Sequence, residues 1–452
     1  MKPLQQRSGM FAFIKKILTG QGAAQVNDDP FLRNPPPPPA AVAPVPRKAP
    51  PAVLQRDEII DAGTRIAGYR LSARLPDGGA QADPGATRDV LAGAGVATLA
   101  ERRIALVPLA AADWQAFDYR PLIGPNTVFL LNVPAANDEL AVWRAVAMAM
   151  HEAGAGIALP GTAIDDPRGL VPEVADFLVL DFAGHTLASF EKLLLALRRS
   201  HPGIRLMAEN VARWPEHRYC IAHGVAFCIG AFTTEQDEEQ AVGEIAQSRL
   251  VLIEMLNQLR READLADIAE VAKRDPGVVV KVVAMANSPL LGRTQAVSGI
   301  DQAIMVLGRE QLYRWLSIGM FRAAAATPRD ELLLEMALAR GRFLELIGQE
   351  THDKRACDEL FLLGLLSLLD CLLGMPMARV LERIQLSPAM QEVLLNSSGP
   401  LGRHLMLAIA VEKGYVGNVS RLAGQLGHSL ESVEAAALAS IAWAEEAVRL
   451  SA

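Results

Sequence analysis

Residues Arg274–Ser288 have the sequence RDPGVVVKVVAMANS, and this stretch determines the fold of the second half of the chain. Asp275 is a favourable N-cap, and Pro276 follows at the first helical position, where a missing N–H costs nothing. Apolar residues then recur at helical spacing and form one face: Val278, Val279, Val282, Val283 and Ala286. Because Pro289 disfavours a helical residue before it, we predict that the helix ends at Asn287-Ser288.

A second helix is predicted in the stretch that follows, VSGIDQAIMVLG at Val297–Gly308. Ser298 precedes Asp301 by three residues, which is an acidic variant of the capping box. The helix then continues through apolar residues to Leu307, and Gly308 is a natural C-cap.

At these residues the chain resembles the HDOD domain, a helical relative of the HD phosphohydrolases. That family has an Asp-Pro that opens a helix, an Asn-Ser that closes it, then an Ala-Ile and a Leu-Gly. All four pairs occur here at matching intervals: Asp275-Pro276, Asn287-Ser288, Ala303-Ile304 and Leu307-Gly308. The resemblance implies a structural role for these residues in an all-helical domain.

Composition and charge indicate several packed domains in a cytoplasmic protein. The 452 residues exceed one ordinary domain, and 51% of them are hydrophobic but only 5% aromatic, which favours helices. A net charge of −7 predicts no direct nucleic-acid binding. No secretory signal and no apolar run of roughly 18–20 residues is found, so no transmembrane segment is predicted. The cysteines lack zinc-like spacing and are typical of buried thiols: Cys220, Cys228, Cys357 and Cys371.

The composition changes near residue 53. Residues 1–52 include five consecutive prolines at Pro35–Pro39 and are predicted to form a disordered, proline-rich leader. Over residues 53–235, short apolar runs alternate with amphipathic helices, which indicates a parallel sheet covered by helices. About seven strands are predicted, beginning with a hairpin at Glu58–Ile60 and Arg65–Arg74. The predicted architecture is a TIM-like barrel, although the stretch is short for a full one.

The sequence GYRLSAR at Gly68–Arg74 resembles the start of an EAL domain, the cyclic-di-GMP phosphodiesterase barrel. Enzymes of that family hold two metal ions with carboxylates and an Asn at the strand ends. Most of the matching positions here carry other residues: Arg70, Pro108, Leu131, Pro160-Gly161, Val179, Ala212 and Ile229. Four positions are retained: Arg74, Asp181, Glu209 and Gly230.

These departures imply a degenerate EAL domain without catalysis. Two adjacent cations need several anionic oxygen ligands, and Arg70 places a positive charge where one ligand belongs. We therefore predict no catalytic residue, no metal and no cofactor. Arg70, Arg74, Asp181 and Glu209 are the candidate ligand-binding residues. Structural ion pairs are the alternative for Arg74, Asp181 and Glu209.

His352-Asp353 is an adjacent His-Asp pair of the kind that HD hydrolases use to bind metal. Here it lies in a polar stretch, whereas the apolar helical text of the HD relatives matches Gly364–Leu368, which places the dyad on Ser367 and Leu368. We therefore interpret His352-Asp353 as a solvated pair rather than a metal site.

The whole chain resembles the bacterial EAL–HDOD two-domain family, with a degenerate EAL barrel at residues 53–235 and an all-helical HDOD domain at residues 236–452. The predicted function is that of a non-catalytic regulatory protein in signal transduction, which contacts other signalling proteins. Two alternatives stay open. One is a cyclic-di-GMP receptor that binds without hydrolysis. The other is a residual cyclic-di-GMP phosphodiesterase or HD-type phosphohydrolase, for which Asp370 is a further candidate ligand beside His352-Asp353.

Overall fold

The computed structural model describes residues 52–75, 82–134, 136–164, 168–237, 245–287, 297–322 and 327–449. It divides into two compact units. The first comprises the described residues from 52 to 237 together with Arg403–Leu438, and the second comprises residues 245–402 and 439–449. The predicted leader, apart from Ala52, lies outside the described residues, and so does Ser288.

The first unit is built on a closed barrel of eight strands, one more than the sequence predicted. The strands follow one another around the barrel in chain order: β1 Val53–Asp61, β2 Ile66–Arg74, β3 Ile104–Leu109, β4 Thr127–Leu131, β5 Gly156–Pro160, β6 Phe177–Asp181, β7 Arg205–Glu209 and β8 Phe227–Ile229. β1 is antiparallel to both neighbours, and every other pair is parallel. The predicted hairpin is confirmed, with its first strand longer than expected.

Apolar side chains from seven of the eight strands fill the interior of the barrel. This core consists of Ile59, Leu106, Val128, Ala158, Phe177, Val179, Met207 and Ile229. Because successive side chains of a strand point to opposite sides, these residues also show which neighbours face inward at the carboxyl ends of the strands. By this rule Asp57, Asp181 and Glu209 face the interior side.

Helices cover the outside of the barrel, and several are short. They are α1 Pro84–Gly93, α2 Val96–Leu99, α3 Ala111–Ala116, α4 Leu140–Glu152, α5 Leu170–Val174, α6 Leu187–Ser200 and α7 Trp214–Ala222. Three 3-10 helices accompany them at Arg120–Leu122, Gly161–Ala163 and Ala231–Thr234. The short α3 and α5 explain how a closed barrel fits into a stretch of this length.

A segment near the end of the chain also belongs to the first unit. Arg403–Leu438 includes most of α17 Gly402–Glu412, all of α18 Val416–Leu426 and the start of α19 Leu430–Arg449. The helical domain predicted for residues 236–452 therefore does not coincide with one compact unit. The physical reason is that apolar side chains of this segment, among them Val416 and Val433, pack beside β1.

The second unit is helical, and the described part of it contains no strand. Its helices are α8 Gln247–Arg260, α9 Leu265–Ala272, α10 Pro276–Ala286, α11 Ile300–Gly319, α12 Pro328–Gly348, α13 Lys354–Leu366, α14 Leu369–Leu373, α15 Met377–Leu381 and α16 Pro388–Asn396, with a 3-10 turn at Met320–Arg322. Among the helices described, none is both long and apolar enough to cross a membrane.

The start of α11 differs from the prediction. Its N-cap is Gly299, whose extended backbone leads directly into the helix, so Ser298 and Asp301 do not form a capping box. Asp301 instead lies 3.4 Å from the ammonium of Lys273. Gly308 does interrupt the helix as predicted, with φ 68° and ψ 169°, but a further helical stretch follows it at once.

Candidate functional site

The carboxyl end of the barrel holds Arg70 between two carboxylates. Arg70 lies on β2 directly across from Asp57 on β1, and Glu209 is the last residue of β7. The Arg70 Nε donates to Asp57 Oδ2 at 2.9 Å, and its Nη1 donates to Glu209 Oε2 at 2.5 Å. Each of these side chains is about one quarter exposed. Charge-assisted hydrogen bonds of this kind fix the guanidinium and neutralise part of the acidic charge around it.

Asp181 is brought next to this group but has a different partner. It pairs in register with Glu209 across β6 and β7. Its Oδ1 accepts a hydrogen bond from the Asn210 side-chain amide at 2.9 Å. The expected ion pair with an arginine is therefore found for Glu209, whereas Asp181 uses Asn210.

Arg74 lies four residues beyond Arg70, at the end of β2. Its Nε donates to the side-chain carbonyl of Gln55 at 2.8 Å. The alternative of a structural ion pair for Arg74 is thus replaced by a neutral partner. Asp57 was not among the predicted site residues, although its place directly before the predicted hairpin, 13 residues before Arg70, was the available signal.

Three of the positions matched to metal ligands of an EAL enzyme hold apolar side chains on strands of the barrel. Val179 is part of the apolar interior, and Pro108 follows the interior residue Leu106 at a spacing of two. Leu131 lies on the outward side of β4, because Val128 and Leu130 face the interior. Within the described residues, no group of three His, Cys, Asp or Glu side chains could hold a metal ion.

In the helical unit, the HDOD-like motif residues have clear structural contacts. Asp275 caps α10 as predicted, because its carboxylate accepts from the backbone N–H groups of Gly277 and Val278. Asn287 ends the helix and makes two hydrogen bonds to the backbone of Val297, both 2.6 Å long. Leu307 is buried just before the break at Gly308.

The two positions matched to the HD dyad carry Ser367 and Leu368, and an arginine lies beside the first. Ser367 accepts a hydrogen bond from Nη1 of Arg340 at 2.7 Å, and Arg340 is only 5% exposed. Burial raises the pKa of the nearby Asp370 carboxyl, which weakens it as a metal ligand. Asp353 is the N-cap of α13, where it accepts from the backbone N–H of Ala356. His352 Nδ1 lies 2.7 Å from the hydroxyl of Thr351.

The four cysteines are free and buried, as predicted. Burial raises the pKa of the Cys371 thiol to about 12 and raises that of Cys357 as well. Because the thiolate is the reactive form of cysteine, neither side chain is suited to act as a nucleophile at neutral pH.

Comparisons with known proteins match part of the helical unit to a family. Residues 245–384 match the HDOD domain. The chain is 23% identical over 247 residues to the cyclic di-GMP phosphodiesterase CdgJ of Vibrio cholerae, a match that covers 54% of this chain and 57% of that protein. It is also 23% identical over 254 residues to the uncharacterized protein YuxH of Bacillus subtilis, covering 56% of this chain and 61% of that protein. The chain thus spans less than two thirds of the length of these relatives.

Solved structures of EAL proteins show a fainter likeness. A manganese and cyclic-diGMP complex of BlrP1 from Klebsiella pneumoniae matches with a TM-score of 0.35 and 17% identity, over 41% of this chain and 55% of that one. An EAL domain protein from Listeria monocytogenes matches with a TM-score of 0.32 and 14% identity, over 40% and 86%. The chain consists of an eight-stranded barrel followed by a helical region that contains an HDOD domain.

Proposed function

We propose that this chain is a non-catalytic signalling protein that acts by binding other proteins, and that its barrel does not hydrolyse cyclic-di-GMP. The HDOD match and the similarity to a relative named as a cyclic di-GMP phosphodiesterase support a place in this kind of signalling. The non-catalytic part rests on one observation, the Arg70 guanidinium held between Asp57 and Glu209.

Arg70 supplies the positive charge that the carboxylates around it would otherwise seek from a cation. A divalent ion at this place would be repelled by the guanidinium, and it would have to compete for Asp57 and Glu209. Asp181 at the end of β6 is a further carboxylate beside Glu209, and its Oδ1 accepts from Asn210. Pro108, Leu131 and Val179 on the other strands provide no oxygen ligands to offset that cost. Activation of a water molecule for attack on a phosphodiester therefore has no support at the carboxyl end of the barrel.

HD-type chemistry lacks support for a similar reason. The Arg340 guanidinium donates to Ser367, where the adjacent His and Asp of an HD enzyme would lie. A buried positive charge beside that position disfavours a metal cation in the same way as Arg70 does in the barrel.

Incubation of the purified full chain with cyclic-di-GMP and either Mg²⁺ or Mn²⁺ tests this proposal. We expect chromatography to detect no linear dinucleotide above the level of a protein-free control. Metal-dependent hydrolysis that disappears in Glu209→Gln would overturn the proposal, because the substitution removes the carboxylate charge from the carboxyl end of the barrel.

The same geometry disfavours a receptor for cyclic-di-GMP. Arg70 is neutralised by two carboxylates, Arg74 is bound to Gln55, and the dinucleotide is an anion. We expect no saturable heat when cyclic-di-GMP is titrated into the full chain. Saturable binding that is lost in an Arg70→Ala, Arg74→Ala double variant would favour the receptor instead.

Protein binding is tested on the HDOD region. Val280 on α10 and Met305 on α11 are apolar side chains that are 54% and 63% exposed. We expect a Val280→Lys, Met305→Lys variant to lose a signalling partner that the native chain retains in a pull-down. Leu395→Lys is the matched control, because Leu395 is 48% exposed on α16, outside the HDOD match. Equal loss in both variants, or in neither, would argue against this surface.

A further inference from the structure

The segment Arg403–Leu438 packs against β1. The backbone N–H of Leu54 donates to Glu434 Oε1 at 2.8 Å, and Lys413 Nζ donates to the hydroxyl of Thr234 at 2.8 Å. Gly414 has a positive φ of 66° and lies so close to Gln55 that an added Cβ would be 2.7 Å from the Gln55 Cγ. The segment is therefore fitted closely to the barrel by backbone, charged and steric contacts.

Charged groups are concentrated where β1 and the segment Arg403–Leu438 meet. Arg56 is 9% exposed, and its Nη1 has no hydrogen-bond partner among the described residues. Arg56 and Glu434 line a small cavity of about 10 Å³ together with apolar side chains of β1 and the C-terminal helices. Glu58, on the same face of β1 as Arg56, and Glu412, at the end of α17, lie close enough to interact electrostatically with Arg56.

The cluster contains more acidic than basic groups. The charged and titratable groups that face one another are Arg56, Glu58, Tyr69, Glu412, Lys413, Glu431 and Glu434. Burial, reinforced by the neighbouring Glu412, raises the pKa of Glu58 from 4.5 to about 7. Burial also raises the pKa of Glu434 and lowers that of Arg56. Glu58 therefore changes its charge near neutral pH.

We propose that the contact between β1 and Arg403–Leu438 is a proton-sensitive latch. A proton on Glu58 strengthens the packing of this segment on β1, and loss of that proton loosens it. Ionisation of Glu58 places a second negative charge beside Glu412 in a shielded setting, with Arg56 and Lys413 as the compensating cations. Release of the segment lets water solvate both carboxylates and removes that repulsion.

The direction of the pH effect follows from linkage. The pKa of Glu58 is higher in the packed state than in the released state, so packing takes up a proton. Packing is therefore strongest at pH values below about 4.5 and weakens as the pH rises toward about 7. Above about pH 7 the proton no longer contributes to packing. The equilibrium constant for packing is then lower than at low pH by on the order of a hundredfold.

Hydrogen exchange of the full chain, measured peptide by peptide and corrected for the intrinsic pH dependence of exchange, tests the latch. Between pH 5.5 and 8 we expect opening of peptides from β1 and from residues 403–438 to increase at least tenfold. Peptides of α12 and α13 serve as the internal reference. Glu58→Gln should remove this increase, whereas Glu101→Gln, at an exposed position, should leave it intact.

Glu412→Gln provides a second variant with its own expected result. Because Glu412 raises the pKa of Glu58, its neutralisation should shift the midpoint of the opening transition to lower pH. The latch is refuted if native chain and Glu58→Gln show the same pH dependence, or if all peptides of the chain open in parallel. Should Glu58→Gln fail to fold, an unchanged midpoint in Glu412→Gln would refute it as well.

Discussion

Arg70 and Arg65 lie on the same hairpin and hold their carboxylates in different surroundings. The side chain of Arg65 is 73% exposed and pairs with Asp61, whereas that of Arg70 is 24% exposed and pairs with Asp57 and Glu209. Exposed ion pairs contribute about 0–1 kcal/mol, but removal of one member of a shielded group leaves the other charges uncompensated.

We expect Arg70→Ala to lower the free energy of unfolding by about 1–3 kcal/mol, a range that allows for the partial exposure of the group. Arg65→Ala should lower it by less than about 0.5 kcal/mol. Urea unfolding of both variants at neutral pH measures the difference. Equal losses in the two variants would show that Arg70 is an ordinary surface arginine.

The sequence indicated the charge of Arg70 but not its partners. The replacement of an expected acidic ligand by arginine is visible in the text GYRLSAR alone. Glu209 lies 139 residues away along the chain, and only barrel closure brings the two together. The contacts of Arg74 with Gln55 and of Asp181 with Asn210 depend on side-chain positions that no spacing rule defines.

Helices α12 and α13 make close backbone contact at Gly341 and Gly364. A Cβ added to Gly364 would lie 2.6 Å from the Gly341 Cα, and one added to Gly341 would lie 2.8 Å from the Phe361 carbonyl oxygen. The obstructing atoms are backbone atoms, which cannot move aside without displacing a helix.

Gly364→Ala should therefore destabilise the helical unit by about 2 kcal/mol or more, as overpacking of a core does. Gly424→Ala is the control: this glycine lies inside α18 with nothing within 4 Å, so alanine should stabilise its helix by about 0.5–1 kcal/mol. Thermal unfolding compares the two variants. Unchanged stability of Gly364→Ala would mean that the helices can separate at little cost.

Most of the elements could be predicted because they have strong periodicity. The hairpin, the apolar strands and α10 with its Asp275 cap were found close to their predicted positions. The short α3 and α5 were missed, since five or six residues are too few to show a helical period. The predicted start of α11 was wrong, because Asp301 forms an ion pair with Lys273 and does not cap the helix.

The arrangement of the whole chain could not be predicted in the same way. The amphipathic faces of α17, α18 and α19 indicate that these helices are buried, but not against which partner. Sequence order suggested the preceding helices, whereas residues 403–438 belong to the unit of the barrel. Residues 439–449 belong to the helical unit, where Trp443 packs edge-on against Phe361.

A chain that ends at Gly402 should therefore lose stability in the barrel, not only in the helical unit. Without the final segment, Leu54 and Arg56 of β1 are uncovered and the hydrogen bond from Leu54 to Glu434 is lost. We expect limited proteolysis to cleave β1 at least tenfold faster in this truncated chain. A chain that lacks only residues 450–452 is the control, and equal cleavage of β1 in the two would contradict the prediction.

The guanidinium between Asp57 and Glu209 affects how the protein responds to changes in metal-ion concentration. A dissolved ion leaves its binding site when its concentration falls, but a charge attached to the backbone cannot diffuse away. We therefore expect the charge balance at this end of the barrel to stay the same when the metal-ion concentration changes, and a chelator should leave its shape unchanged.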